Sequence, residues 1–382
     1  MLIQIIFWLS AFAIFYAYAG YPPTLWLISF FINAPIKKSA ITPSVSLVIS
    51  AYNEEHVLPK KIENALALNY PRHLLEIAVI SDGSTDGTNE IIQNFAQQFC
   101  HVIPCISQRR KGKTSCLNDF VPLLRGEIIL FSDANSFYDK ELIHRILRPF
   151  ADPDIGLVTG STKYIDSPES QSAGGTGLYS RFERLTKVLE TKTGSCVGAD
   201  GAIFAIRKCL FSPLKPDDIN DLVIPLHIVS KRYRCILEPS AFCDEQVTDP
   251  AGEFQRQIRI TCRTLRAIFR HRNLFNPFQH PLFSFKLFSH KLMKFLAPFC
   301  LAALLITNVF LALENGLFYK IMLSLQAVFY GCGLIGFLKS AEGKQVKWIG
   351  PCHVFLTVNA AYTAGWFKYL TGETYTVWKS PR

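Results

Sequence analysis

The sequence predicts an α/β fold with a doubly wound, mainly parallel sheet and transmembrane helices at both ends. Three observations carry that prediction. Short apolar runs alternate with helix-length amphipathic segments between residues 45 and 131. The unbroken apolar run Ile128–Phe131 stops at Ser132-Asp133-Ala134-Asn135, as a strand buried on both faces does at a ligand-binding edge. Charge is absent from residues 2–32 and sparse in three later stretches, 292–313, 317–338 and 349–370, each about the length a bilayer needs.

Residues 2–32 are too long for a signal-peptide core, and no basic residue precedes them. They read as one transmembrane helix within residues 1–36, kinked or ended by Pro22 and Pro23. Lys37 and Lys38 follow, which places the next segment in the cytoplasm and the amino terminus outside.

Residues 37–250 then form the cytoplasmic domain. Strands are expected at Val45–Ser50, Leu75–Ile80, Val102–Ile106 and Ile128–Phe131, and helices at Glu54–Leu68, Thr88–Phe99 and Lys113–Leu124. This βαβαβαβ succession implies a parallel sheet. Its binding edge would carry Ala51, Tyr52, Asn53 and Glu54, then Ser81-Asp82-Gly83, then Asp133-Ala134-Asn135. A helix from Asp139 to Phe150, a strand at Ile155–Thr159 and a glycine-rich link at Gly174, Gly175 and Gly177 follow. A polar helix then runs through Glu190, and Gly198–Arg207 reads as a turn feeding a strand. Pro216–Asp221 opens a helix over Leu222–Lys231, and a short strand spans Cys235–Leu237.

Residues 251–291 read as basic juxtamembrane or interfacial helices. In the helix Glu253–Arg270, Arg256, Arg259, Arg263, Arg266 and Arg270 fall at three- and four-residue steps, one basic stripe. Leu282–Lys291 is amphipathic and suits the interface plane. Three further spans fill residues 292–372, and residues 373–382 form a tail. The acidic loop Glu314–Gly316 and the basic loop Lys339–Lys347 set a topology of four crossings with an external carboxyl terminus.

Net charge is +10, and nine Lys or Arg with no acid lie between Glu253 and Glu314. A basic belt beside membrane segments points to anionic headgroups or a phosphorylated substrate, and no nucleic-acid-binding motif accompanies it. The eleven Cys lack any Cys-x-x-Cys, so neither zinc nor a disulfide frame is indicated.

Two motifs mislead. Lys111-Gly112-Lys113-Thr114 imitates the end of a P-loop, but Ser107 stands where its first glycine belongs. The glycines at 174–177 follow no strand, unlike a dinucleotide fingerprint. Asp82 and Asp133 are the informative pair. Ordinary turns explain Gly83 and Gly87 but not acids at two strand ends, whereas a nucleotide sugar needs one acid for ribose or base and another for metal and diphosphate. Asp221 reads either as an N-cap or as a general base. The arginine stripe reads either as headgroup contact or as diphosphate stabilisation.

Taken in order, Ser50-Ala-Tyr-Asn-Glu-Glu55, Ser81-Asp-Gly-Ser-Thr-Asp-Gly-Thr88, Lys113-Thr-Ser-Cys-Leu-Asn118, Phe131-Ser-Asp-Ala-Asn-Ser136, Gly198–Arg207 and Asn220-Asp-Leu-Val-Ile-Pro-Leu226 form a specific set. With the membrane layout they resemble membrane-bound family-2 glycosyltransferases of the glycosyltransferase-A fold. The group nearest in pattern includes poly-N-acetylglucosamine synthases and exopolysaccharide glycosyltransferases. The resemblance implies that Ala51, Tyr52 and Glu54 border the nucleotide base, Asp82 binds base or ribose, and Lys113 approaches the nucleotide. It implies that Asp133 and Asn135 hold Mg2+ or Mn2+ with the diphosphate, that Asp221 is the catalytic base, and that Asp200 and Gly201 line the acceptor side. Arg256, Arg259 and Arg263 would serve the acceptor or diphosphate.

Two departures from the family pattern matter. Asn135 replaces a second Asp, which removes one charge from the metal site. Arg256-x-x-Arg259-Ile260 stands where processive members have Gln-x-x-Arg-Trp, so single-sugar addition is expected. The implied enzyme is an inverting transferase acting from a UDP-sugar on a lipid-linked or saccharide acceptor. It would sit in a bacterial cytoplasmic membrane, with membrane lipids and a polysaccharide assembly system as partners and no nucleic acid. A processive synthase, a polyprenyl-phosphate sugar synthase, or a scaffold or transporter with a degenerate nucleotide-sugar domain are the competing readings.

Overall fold

A computed structural model describes residues 1–165, 173–246, 252–314, 316–341 and 349–377. Most of the basic loop after Lys339 and the end of the tail lie outside these residues. The chain divides into a sheet unit (Leu25–Asp249, Arg266–Ser284, Thr374–Arg382) and a helical unit (Met1–Thr24, Pro250–Leu265, Phe285–Glu373).

The chain begins with α1 (Leu2–Phe15) and α2 (Tyr21–Ile28), joined by a π-helical turn at Tyr16–Gly20. Pro22 and Pro23 lack N–H groups and crowd the preceding turn. The widened turn just before them takes up that mismatch, so the helix runs on to Ile28.

The first half of the sheet unit follows the expected alternation: β1 (Val45–Ala51), α3 (Leu58–Leu66), β2 (Leu75–Asp82), α4 (Thr88–Gln98), β3 (Val102–Ser107), α5 (Lys113–Phe120) and β4 (Ile128–Asp133). These strands pair in parallel in the order β3-β2-β1-β4. Leu47, Val48 and Ile49 are all fully buried, because helices cover both faces of the sheet; hence the apolar runs without alternation. α3 starts four residues later than expected. Residues 53–55 are held instead by the loop before α4: Ser84 Oγ accepts the Asn53 N–H at 3.2 Å, and Glu55 Oε2 accepts the Gly87 N–H at 2.7 Å.

The second half is β5 (Phe137–Tyr138), α6 (Leu142–Leu147), β6 (Ile155–Ile165), α7 (Ala173–Lys192), β7 (Ile203–Arg207), α8 (Asn220–Ser230) and β8 (Arg234–Gln246). β7 runs antiparallel between β4 and β6, and β8 pairs parallel with β6 and antiparallel with β5. Phe131 and Phe204 stack across the β4–β7 seam at 4.6 Å. Both β6 and β8 are far longer than the strands expected. At their centre, the register jumps from Thr159 opposite Leu237 to Ser161 opposite Phe242, so Glu238–Ala241 bulge out opposite Gly160. A Cβ at Gly160 would lie 2.7 Å from the Ala241 carbonyl oxygen; the residues that look like strand ends therefore form a bulge. The glycines expected to form a link lie inside the start of α7.

The remaining helices are α9 (Glu253–Arg270), α10 (Pro281–Lys286), α11 (Met293–Glu314), α12 (Leu317–Ala341) and α13 (Gly350–Leu370). α10 continues into α11 through a π-helical turn, so Leu282–Lys291 belongs to one 34-residue helical element rather than to a separate segment. Among the described residues three elements, Leu2–Ile28, Pro281–Glu314 and Leu317–Lys339, are long and apolar enough to cross a membrane. The fourth expected span forms α13 but is not among them; it carries His353, Asn359 and Lys368. Within the helical unit, the Tyr16 hydroxyl donates to Ser289 Oγ at 3.0 Å and the Trp366 indole to the Phe295 carbonyl at 2.8 Å. Trp8, Phe12 and Phe15 point outward and are more than half exposed, as lipid-facing side chains are.

Candidate active site

The register aligns the strand ends. Ser50 stands opposite both Ile80 and Asp133, Ala51 opposite Ser81, and Asp82 opposite Ser107. Asp82 and Asp133 therefore end strands that flank β1, two interstrand spacings or about 9.6 Å apart in the pairing direction. Because β7 is antiparallel to β4, its start lies at this same edge, with Ile203 opposite Ser132. Asp200 and Gly201 immediately precede it.

On the β2 side, Asp82 is buried and accepts the N–H groups of Lys111 at 2.7 Å and Gly112 at 2.9 Å, with the Cys116 thiol at 3.3 Å. It thus ties down the backbone that opens α5. Burial and the nearby Asp82 carboxylate push the Cys116 thiol up to about 12. Gly83 adopts φ +62°, and a Cβ there would lie 2.5 Å from the Arg110 nitrogen; only glycine allows the two loops to approach so closely. Arg110 in turn lies over the Tyr52 ring at 3.6 Å, giving a flat cationic and aromatic surface beside Ala51. Arg110 is absent from the sequence reading; its signal is a basic triplet, Arg109-Arg110-Lys111, between a strand and a helix.

The Tyr52–Glu55 loop is fixed by the loop that follows β2. Asn53 adopts φ +53°, a conformation Asn tolerates, and its Oδ1 accepts the Thr85 N–H at 2.9 Å. Thr88 Oγ1 accepts the Glu54 N–H at 2.9 Å. Asp86 accepts the N–H groups of Thr88 and Glu55. Burial pushes the Asp86 carboxyl up, but these bonds outweigh it and hold the group below its ordinary range.

Asp133 is partly exposed, and its Oδ1 lies 2.5 Å from the Lys113 ammonium. Asn135 is two residues on in the same turn and partly exposed. Behind the turn sits Lys61, fully buried, donating to the Ser136 carbonyl and lying 3.8 Å from the Tyr138 ring. Ser136 Oγ donates to Glu245. The turn is thus held from α3 and from β8. Burial pushes the Lys61 ammonium down to about 7, with Cys243, Asp133 and Glu245 opposing the shift. Sequence reasoning missed Lys61, although it interrupts the apolar stripe Leu58, Ile62, Ala65 of α3.

On the β7 side, Asp200 is committed to structure. It accepts the Thr162 N–H at 2.8 Å and the Thr162 hydroxyl at 2.9 Å. A Cβ at Gly201 would lie 3.2 Å from Asp221 Oδ2, and the Ala199 N–H donates to the Asp221 carbonyl at 2.8 Å. Asp221 is partly exposed in the first turn of α8, where the N-cap is Ile219; the capping alternative for Asp221 does not hold. Asp217 pairs with Arg266 at 3.4 Å and Arg270 at 3.0 Å, and Asp218 also pairs with Arg270. Burial raises the Asp218 carboxyl despite the Lys215 N–H and Arg270 beside it. The Thr114 hydroxyl donates to the Asp218 carbonyl at 3.0 Å, linking the start of α5 to the loop before α8.

The sheet unit thus brings Ala51, Tyr52, Glu54, Asp82, Lys113, Asp133, Asn135, Asp200, Gly201 and Asp221 to one edge. Arg256, Arg259 and Arg263 belong instead to the helical unit, and Arg256 pairs with Glu253 at 3.0 Å. A cavity of about 620 Å³ lies at the opposite end of β4, lined by Gly126, Arg207 and Lys208 among others; it is remote from these residues.

The donor set tests the metal expectation. Among the described residues no group of three or more His, Cys, Asp or Glu side chains is placed to hold a metal ion by itself. One carboxylate and one amide oxygen, two residues apart in a partly exposed turn, suit a hard divalent cation that takes its other ligands from phosphate and water. Asp133 and Asn135 fit that kind of site.

Comparisons with known proteins agree with this architecture. Residues 46–210 match the family described as glycosyl transferase family 2. The chain is 26% identical over 231 residues to the Bacillus subtilis protein named Probable glycosyltransferase YdaM, covering 56% of this chain and 53% of that protein. It is 33% identical over 118 residues to a beta-monoglucosyldiacylglycerol synthase of Nostoc sp., covering 30% of this chain and 25% of that one. Against the poly-beta-1,6-N-acetyl-D-glucosamine synthase of Staphylococcus aureus the identity is 23% over 218 residues, with 56% and 52% covered. The chain therefore spans about half the length of two of these relatives and a quarter of the third. Among solved structures, the mannosyltransferase PcManGT from Pyrobaculum calidifontis, in complex with GDP-Man and Mn2+, superposes with a TM-score of 0.73 at 20% identity. That superposition covers 96% of this chain and 99% of that one, and establishes a shared fold.

Proposed function

On the premise that residues 46–210 are a glycosyltransferase family 2 domain, we propose that the protein transfers one sugar, with inversion, from a nucleoside-diphosphate sugar to a lipid-linked or membrane-associated saccharide. A UDP-sugar is the donor in this reading. The observation that supports it is a single sheet edge carrying the Asp82–Lys113–Asp133 arrangement and, beyond it, Asp221 packed against Gly201. Asp82 holds the loop that borders base and ribose. Lys113 meets the diphosphate as a mobile point charge. Asp221 takes the proton of an acceptor hydroxyl. That oxygen bonds to the anomeric carbon while the bond to the diphosphate breaks, and the leaving group keeps the electron pair. Asp133 and Asn135 would hold a divalent cation, Mg2+ or Mn2+, which would neutralise charge on the diphosphate. The apolar helices anchor the protein in the cytoplasmic membrane, and Lys37–Lys38 favour a cytosolic sheet unit.

A processive synthase is the second reading, favoured by the polymer named in one relative and opposed by Ile260 in place of an aromatic. Incubating the purified protein with Mn2+, individual nucleotide sugars and membrane-lipid extracts tests both. The expected result is acceptor-dependent nucleotide release and a product one sugar heavier by mass spectrometry. Long product ladders would favour the polymerase, and no turnover of any nucleotide sugar would overturn transfer altogether.

A further inference from the structure

We propose that Lys113 is a placeholder cation for Asp133, so that a divalent metal settles on the Asp133–Asn135 turn together with a diphosphate and only poorly without one. This rests on the nucleotide-sugar reading above. Three observations lead to it. The ammonium lies 2.5 Å from Asp133 Oδ1, where an incoming cation would otherwise bind. The root of Lys113 is fixed: Asp82 accepts the two N–H groups just before it, and Gly112 turns the chain at φ +91°. The turn holds a single carboxylate, because residue 135 is Asn.

Charge counting then decides the order of events. The Lys113–Asp133 pair is neutral, so a dication alone would have to displace an ammonium and leave the site doubly positive. A sugar diphosphate brings two negative charges. Lys113 can then move its three N–H donors from the carboxylate to phosphate oxygens, Asp133 is released to the metal, and the site closes neutral. Both side chains are about a third exposed, at 28% and 39%. Such a pair is worth at most about 1 kcal/mol, so its removal changes metal affinity by about two- to fivefold.

The test is Mn2+ binding to the purified full-length protein, read from the electron paramagnetic resonance signal of free Mn2+, with and without UDP or GDP. In the wild type, Mn2+ alone binds weakly and nucleotide strengthens it. Lys113→Gln is expected to bind Mn2+ alone about two- to fivefold more tightly and nucleotide less tightly. Lys113→Arg restores the wild-type order, and Asp133→Asn removes the Mn2+ binding in every background. A Lys113→Gln protein whose Mn2+-only affinity equals or falls below wild type overturns the proposal. Failure of both nucleotides to bind the wild type would sink the nucleotide-sugar reading, while the Mn2+-only comparison would still judge the lysine.

Discussion

The two halves of the sheet edge use their acids differently. On the parallel side, Asp82 is buried and spent on backbone N–H groups, while the Asp133 carboxylate pairs with the partly exposed side chain of Lys113. On the mixed side, Asp200 is spent on Thr162, and Asp217 and Asp218 face Arg266 and Arg270. Asp221 stays at the edge, partly exposed and flanked by a glycine. On both sides, then, several of the edge acids are tied into the fold by backbone N–H groups, a threonine or arginines. Counting acids in a motif therefore overstates how many face the edge uncommitted to backbone N–H groups, since Asp82 and Asp200 each hold neighbouring chain.

Removing a scaffold acid should break this comparison most severely. Asp82→Ala leaves the buried Gly112 N–H and the part-buried Lys111 N–H without their charged acceptor and should destabilise the sheet unit by about 2–4 kcal/mol. Chemical denaturation of the purified protein would read that loss, and nucleotide binding should fall with it. If Asp82 were purely a ligand to ribose, nucleotide binding would fall without a change in stability.

A smaller and more selective effect is expected across the edge. Gly201→Ala brings a methyl group to 3.2 Å from Asp221 Oδ2, so the carboxylate must give by a few tenths of an ångström. Transfer should slow by about tenfold through lost alignment, with nucleotide affinity unchanged. Equal loss in both would mean that the two halves of the edge are not separable.

The parallel half was legible because doubly covered strands read as plain apolar runs; β1 through β4 fall within two residues of their expected bounds. The mixed half was less so. Glu238-Pro239-Ser240 looks like the end of a strand, yet it is the bulge that lets β8 continue beside β6. Motif order singles out Asp82, Asp133 and Asp221, but not the groups each of them meets, such as the Lys111 and Gly112 N–H groups at Asp82 or Lys113 at Asp133. Lys61 hides as one polar residue on an apolar helix face, and Arg110 as one of three neighbouring cations, because contacts across 75 residues (Lys61 to Ser136) leave no local pattern. At the membrane end, three of the four stretches expected to span are long and apolar enough to cross a membrane, while α13, with His353, Asn359 and Lys368, is not among those three.

The most direct measurement compares sugar transfer with nucleotide-sugar binding in Asp221→Asn. This substitution keeps the shape of the side chain and removes its basicity. If Asp221 serves the acceptor as proposed, donor affinity stays within about twofold of wild type and transfer falls by about 10²–10⁴-fold. Transfer at the wild-type rate, or donor binding lost in step with it, would contradict the assignment of the two halves to donor and acceptor.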